Sequence, residues 1–209
     1  AGLGVGDART PQGPYNDYGK FTDKTELGVS SIEDPFVYAS GSTFYLFFGV
    51  SGDGIYGVKL NVRKNVRPTL SGTIFKVAGA EYSGPYVRKR GSSFYFYATR
   101  GGSIVLGRST NIEGPYLDSE DTDLLQSAGT LLVNQSDEIQ SLGQVAGVQA
   151  DYQDNDWILY TAVESKIPSL PTGSERYVLL LNRINYDSNG WPAQVIEAKT
   201  GYFYPRFKN

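Results

Sequence analysis

The 209-residue sequence contains neither cysteine nor histidine. Without cysteine there is no disulfide, no thiolate nucleophile and no thiolate-held metal, and the redox compartment stays undetermined. Without histidine the chain lacks the usual acid–base group at neutral pH and the commonest metal ligand. Serine-protease triads, zinc hydrolases and histidine-dependent phosphatases are set aside together, so any hydrolytic chemistry here must run on carboxylates. No apolar run approaches the length of a membrane-crossing helix, and no signal peptide is visible at Ala1, although a processed mature chain would look the same. A net charge of −3 gives no electrostatic reason to expect nucleic acid or an anionic membrane as a partner. Helical periodicity is nearly absent as well.

What is abundant is glycine (25) and tyrosine (16), the composition that many short strands and tight turns require. The segment Gly41 to Gly49 reads G-S-T-F-Y-L-F-F-G, and fifty residues later Gly91 to Thr99 reads G-S-S-F-Y-F-Y-A-T. Trp157 to Ala162 and the run Tyr202-Phe203-Tyr204 extend the series. A glycine-led aromatic strand that returns at a fixed interval marks a repeat architecture. A small sheet cannot bury its own faces, so copies must stack, and a radial stack is a β-propeller. The expected fold is therefore an all-β propeller forming a single domain over residues 1–209, with no helix longer than about two turns.

The strands follow from the turns. Gly2 to Ala8 reads as a short strand and Pro11 to Gly19 as a turn-rich loop. Pro35–Ser40, Phe44–Val50 and Ile55–Leu60 form one antiparallel blade; Tyr86–Lys89, Ser93–Thr99 and Ile104–Arg108 form a second. Val145–Ala150, Trp157–Val163 and Tyr177–Ile184 form a third, interrupted by the proline-containing loop Lys166–Gly173. Trp191–Ala198 and Gly201–Phe207 are expected strands of a fourth. Leu117–Ser141 reads as a loop with a short strand near Leu131. Gly-Pro-Tyr occurs at residues 13–15, 84–86 and 114–116. The first and third copies share a longer frame, which predicts a common role at the exit from a blade's third strand.

Several stretches, taken in order, resemble the five-bladed propellers of glycoside hydrolase family 43, the arabinanases, arabinofuranosidases and xylosidases. They are Ile32-Glu33-Asp34-Pro35 before a strand ending Phe44-Tyr45-Leu46-Phe47-Phe48-Gly49; Gly84-Pro85-Tyr86 before Phe94-Tyr95-Phe96-Tyr97; Gly107-Arg108-Ser109 followed by Gly114-Pro115-Tyr116-Leu117-Asp118; and Gly190-Trp191-Pro192. The resemblance implies a carbohydrate partner of the arabinan or xylan type and a secreted or periplasmic location; the sequon Asn134-Gln135-Ser136 would suit a secreted eukaryotic protein. It implies hydrolysis with inversion, by an acid and a base held about 6.5–9.5 Å apart and a third carboxylate that tunes the acid.

Carried over residue by residue, the resemblance gives an incomplete set. Asp34 occupies the Asp-Pro motif of the tuning aspartate; a plain strand-start aspartate is the alternative. The family's general acid is a glutamate at the place here taken by Ser83, and a serine hydroxyl is too weak an acid to protonate a leaving group at useful rates. Glu81 lies two residues upstream and would face the same side about 6–7 Å away, so it serves as the acid only if a local bulge moves it. Gln144 stands where many family members carry a histidine that supports a central ion, and Thr161 replaces a histidine that often follows the later tyrosine, so no cofactor is expected, and a central calcium ion has no support from the sequence. Substrate contacts are implied for Tyr86, Arg108, Gln144 and Thr161. The family's base lies in an Asp-Pro motif on the first blade. Here Gly2 to Thr10 reads as the last strands of an incomplete first blade, with no Asp-Pro before Asp34. Asp7 and Asp17 are the only upstream aspartates.

Three functions stay open on this sequence: a propeller that has lost catalysis and binds carbohydrate, an active inverting glycosidase using Asp34 and Glu81, and a structural or protein-interaction propeller, since one fold hosts many functions.

Overall fold

The computed structural model describes residues 2–63 and 66–195. Fourteen strands and one single-turn helix follow in chain order: β1 (Gly2–Asp7), β2 (Asn16–Asp23), α1 (Lys24–Leu27), β3 (Glu33–Ser40), β4 (Thr43–Val50), β5 (Gly54–Arg63), β6 (Val66–Ala78), β7 (Tyr82–Arg90), β8 (Ser93–Arg100), β9 (Ser103–Ser109), β10 (Thr130–Val133), β11 (Ile139–Gln140), β12 (Val145–Ala150), β13 (Asp156–Glu164) and β14 (Tyr177–Ile184). They form a two-stranded sheet, β1–β2, and three four-stranded antiparallel sheets: β3-β4-β5-β6, β7-β8-β9-β10, and β12-β13-β14, in which β11 pairs with the end of β13 on the β12 side. These sheets are the blades of an all-β propeller. The first strand of each four-stranded sheet is innermost, for β7 touches both β3 and β12.

The aromatic repeats are the second strands of successive blades. Gly41 (φ 62°) and Gly91 (φ 58°) lead them because each opens a two-residue turn between strands paired Ser40 to Thr43 and Arg90 to Ser93, and a positive φ there costs glycine nothing. Past the turn the strand runs through the middle of a blade, with both faces covered. That is why β4 reads as an unbroken apolar run rather than an alternating one. Phe47, Phe48, Phe96 and Tyr97 have no exposed surface. Each hydrophobic cluster lies between neighbouring sheets. One joins β4 and β5 to β7, β8 and β9; a second joins β8 and β9 to β12 and β13; a third lies between the blade of β3–β6 and the β2–α1 segment.

Some strand assignments need correction. Asn16 to Gly19, expected in a loop, already belongs to β2. Its residues are polar because this two-stranded sheet leaves much of both faces open. The thirteen-residue β6 was not foreseen. Its Pro68 is tolerated because β6 is the outer edge of its blade, where no neighbour needs the missing N–H. Trp191 to Val195 is not a strand: it is tied down by a bridge between Tyr186 and Pro192 and by Val195 N–H donating to the Leu132 carbonyl. The rest of the expected fourth-blade strands, including Tyr202-Phe203-Tyr204, lies outside the described residues.

The two framed Gly-Pro-Tyr copies share one structure. Gly13–Pro14 and Gly114–Pro115 are cis, and the tyrosine hydroxyls of Tyr15 and Tyr116 donate to the carbonyls of Pro11 and Ile112, four residues back. The middle copy is built differently. Gly84-Pro85 sits in a bulge inside β7, where the pairing jumps from Ser83–Thr99 to Tyr86–Tyr97.

Candidate functional site

The innermost strands β3 and β7 begin alike. In β3 the pairing steps from Glu33–Gly49 to Phe36–Phe47, and in β7 from Ser83–Thr99 to Tyr86–Tyr97. The residue inside each bulge has a positive φ, 50° at Asp34 and 63° at Gly84, and a proline follows both. For glycine this conformation is free. For Asp34 it costs about 1–2 kcal/mol, and the following proline narrows the choice further. Strained non-glycine residues of this kind gather at functional sites. The shared register puts Asp34 level with Gly84, and Glu33 level with Ser83, at one mouth of the channel between the inner strands. Glu33 escaped the sequence reading, although the signal was present: it lies two residues before Pro35, as Ser83 lies two before Pro85.

Ser83, Gln144 and Thr161 are drawn together at this mouth. A side-chain carbon on Gly84 would come within 2.6 Å of Gln144 Cγ, so Gln144 fills the space that glycine leaves beside Ser83. Thr99, directly opposite Ser83, donates its hydroxyl to the Gly143 carbonyl at 2.9 Å. Gly143 N–H donates to the Thr161 carbonyl, and Thr161 N–H to that of Gln144. A Cβ on Gly143 would lie 2.2 Å from Thr161 Oγ1. Neutral hydroxyl and amide groups of two blades thus lie at the same level of the inner strands as the carboxylates Glu33 and Asp34 on a third. The Gln144 amide does not fit the histidine-supported ion that the resemblance implies. Among the described residues no three carboxylates gather into a metal site either.

The other expected residues lie elsewhere. The Tyr86 ring packs between blades, 4.7 Å from Phe36 and 6.4 Å from Tyr97, with its hydroxyl turned to the Val148 carbonyl. Glu81 is 70% exposed and ion-paired with Arg100, whose guanidinium lies over the ring of Tyr82. The bulge that would have moved Glu81 into the acid position falls after Ser83, not before it. Burial pushes the Tyr82 phenol up to about 12, so it stays protonated and donates to the Ser127 carbonyl. Arg108 is at the far end of its blade. It lies level with Tyr95 and Arg88, donates to the Asn189 carbonyl at 2.7 Å and stacks on Trp191 at 4.3 Å.

Residues 1–192 match Glycosyl hydrolases family 43. The chain belongs to that family. Among its relatives, an extracellular exo-α-(1→5)-L-arabinofuranosidase of Cellvibrio japonicus is 26% identical over 144 residues, covering 64% of this chain and 39% of the relative. An extracellular endo-α-(1→5)-L-arabinanase of Bacillus subtilis is 26% identical over 152 residues, covering 61% and 32%. The matched segments therefore cover well under half the length of these relatives. The α-L-arabinanase structure from Cellvibrio cellulosa superposes with a TM-score of 0.74 at 21% identity, covering 93% of this chain and 68% of that one. The same enzyme bound to arabinohexaose gives 0.73. At this identity the superposition speaks for the fold. Among the described residues no helix is long and apolar enough to cross a membrane.

Proposed function

We propose that this family 43 propeller binds arabinan-type oligosaccharides at the mouth formed by Glu33, Asp34, Ser83, Gln144 and Thr161, outside the cell, without hydrolysing them. The observation that carries this reading is Ser83. It stands in the register that the family resemblance assigns to the general acid, and it has a hydroxyl where a protonated carboxyl is needed. Glu81, the alternative acid, is held by Arg100 out in solvent, with its oxygens accepting hydrogen bonds instead of delivering a proton. Loss of general acid catalysis alone removes a factor of about 10²–10⁴. What remains suits sugar recognition. Two carboxylates accept hydrogen bonds from adjacent hydroxyls, and the neutral groups both donate and accept. The names of the relatives above supply the sugar and the extracellular setting.

The test combines calorimetry and reducing-end release with linear α-1,5-arabino-oligosaccharides. Saturable binding is expected, lost in Asp34→Ala and weakened in Glu33→Gln, with no sugar released on prolonged incubation. Steady release that Glu81→Gln or Glu33→Gln abolishes would overturn the reading in favour of an active glycosidase. Absence of any binding would favour a structural propeller.

A further inference from the structure

The last described blade leaves one of its faces open. Successive residues of β13 and β14 point to opposite faces. Ile158, Tyr160 and Ala162 of β13, with Leu180 and Ile184 of β14, lie in the cluster shared with β8 and β9. The opposite face holds Trp157, Leu159, Thr161 and Val163, paired across the strands with Arg183, Leu181, Leu179 and Tyr177. On β14 this face is in water: Tyr177, Leu179 and Leu181 are 49%, 60% and 38% exposed. Contiguous exposed apolar residues, unlike single scattered ones, mark an interaction surface. The stripe also has charged ends. Glu175 stands just before β14 on the side of Tyr177, whose hydroxyl donates to its carboxylate at 2.9 Å. Arg183, at the other end, donates to the side-chain carbonyl of Asn155. Both are exposed, and among the described residues neither belongs to an ion pair. The cation next to Glu175 in sequence, Arg176, is paired with Glu164 instead.

At alternate positions the face therefore runs Glu175, Tyr177, Leu179, Leu181, Arg183, over about 26 Å at strand rise. That order is self-complementary about Leu179. Packed face to face about a twofold axis perpendicular to the strands, two copies set Glu175 of one against Arg183 of the other. Tyr177 then meets Leu181, and Leu179 meets Leu179. An axis parallel to the strands would instead stack Glu175 on Glu175 and Arg183 on Arg183, and like charges across an interface are costly. A twofold interface requires one patch to match itself, and this patch does so in one orientation.

We propose that this face is an interface with a second copy of the chain, the two blades packing sheet on sheet with their β14 strands antiparallel. The charges select the occupant, since the acid at one end is answered by the base that the same face carries at the other. The stripe is small beside the roughly 800 Å² per partner of a standard interface, so the dimer forms and dissociates with concentration. The proposal does not rest on the reading of the axial mouth.

The experiment is sedimentation velocity of the intact chain, from low micromolar to the highest soluble concentration. A reversible monomer–dimer equilibrium is expected, weakening as salt is raised because the end contacts are between exposed charges. Leu179→Glu is expected to leave monomer alone. Glu175→Arg or Arg183→Glu by itself is expected to weaken the dimer about tenfold, since each puts like charges at both symmetry-related contacts. The two reversals combined are expected to return the dimer to near its original strength. Circular dichroism checks the fold of each variant. A chain that stays monomeric at every concentration would overturn the proposal, leaving the face to another part of the same polypeptide or to a different protein. A dimer indifferent to Leu179→Glu, or a double reversal no stronger than the single ones, would overturn it as well.

Discussion

Two tyrosines in the same local structure separate what a hydrogen bond contributes from where it is made. Tyr15 and Tyr116 each follow a cis Gly–Pro bond and each donate to a carbonyl four residues back, at 2.7 and 2.8 Å. Tyr15 is 63% exposed, whereas Tyr116 is fully buried, with its ring 5.2 Å from that of Phe96. Water can replace the hydroxyl of Tyr15 but cannot reach the Ile112 carbonyl beneath Tyr116. Tyr116→Phe is therefore expected to cost about 1–3 kcal/mol, the penalty for a buried acceptor left unpaired, and Tyr15→Phe to stay within about 0.5 kcal/mol. Urea unfolding of the two variants checks this, and equal effects would show that burial is not what decides. The shared motif was legible in the sequence; the difference in exposure was not, because it depends on which neighbouring sheet lies over each copy.

At the scale of the element, one turn design recurs three times. In 118–122, 151–155 and 187–191 an aspartate carboxylate accepts the backbone N–H groups two and four residues on, and its own N–H donates to the carbonyl four residues on. The fourth residue of each, Asp121, Asp154 or Gly190, has a positive φ, and Asp and Gly are the residues that tolerate it. The pattern Asp-x-x-Asp/Gly-x is visible in the sequence once its use is known, as is the match between Glu33 and Ser83. Both were passed over because spacing alone does not show that two segments share a bulge or a turn. The aromatic strands, by contrast, were readable at once, since an apolar run between two glycine turns has few other places to go. At Asp151, burial works against the charge, but hydrogen bonds from Trp157 Nε1, the Asn155 side chain and the Asn155 and Gln153 amides outweigh it and hold the carboxyl well below its ordinary range. The folded state thus prefers the ionised form more than the unfolded chain does. That stability is fully present above the unfolded value of 3.8 and is lost as the pH falls toward the depressed one. Asp151→Asn is expected to be less stable than the wild type near neutrality, with the gap closing as the pH is lowered from about 6 to about 2. Thermal melts across that range test it; a gap independent of pH would mean that the charge is not what the turn uses.

At the scale of the whole molecule, the described blades are joined by aromatic packing and by a buried charge that bridges two of them. Asp156 of β13 has no exposed surface. It accepts two hydrogen bonds from Arg88 and one from Arg90, both on the inner strand of the preceding blade, and a fourth from Tyr186 at 2.7 Å. A buried carboxylate is tolerated only when fully partnered, and removing one partner exposes the desolvation cost that the others no longer cover. Arg88→Met is therefore expected to destabilise the protein by about 3–5 kcal/mol, far more than the loss of an exposed ion pair such as Lys20–Asp23, which solvent screens. Adding Asp156→Leu to Arg88→Met is expected to restore only part of the loss. It removes the stranded charge, but it leaves Arg90 and the half-buried Tyr186 hydroxyl without the acceptor they share. Denaturant midpoints of the wild type, the two single variants and the double variant close the cycle. A cost near zero for Arg88→Met would mean that the blades are joined by their aromatic faces alone. A double variant as stable as the wild type would mean that Asp156 serves Arg88 and nothing else.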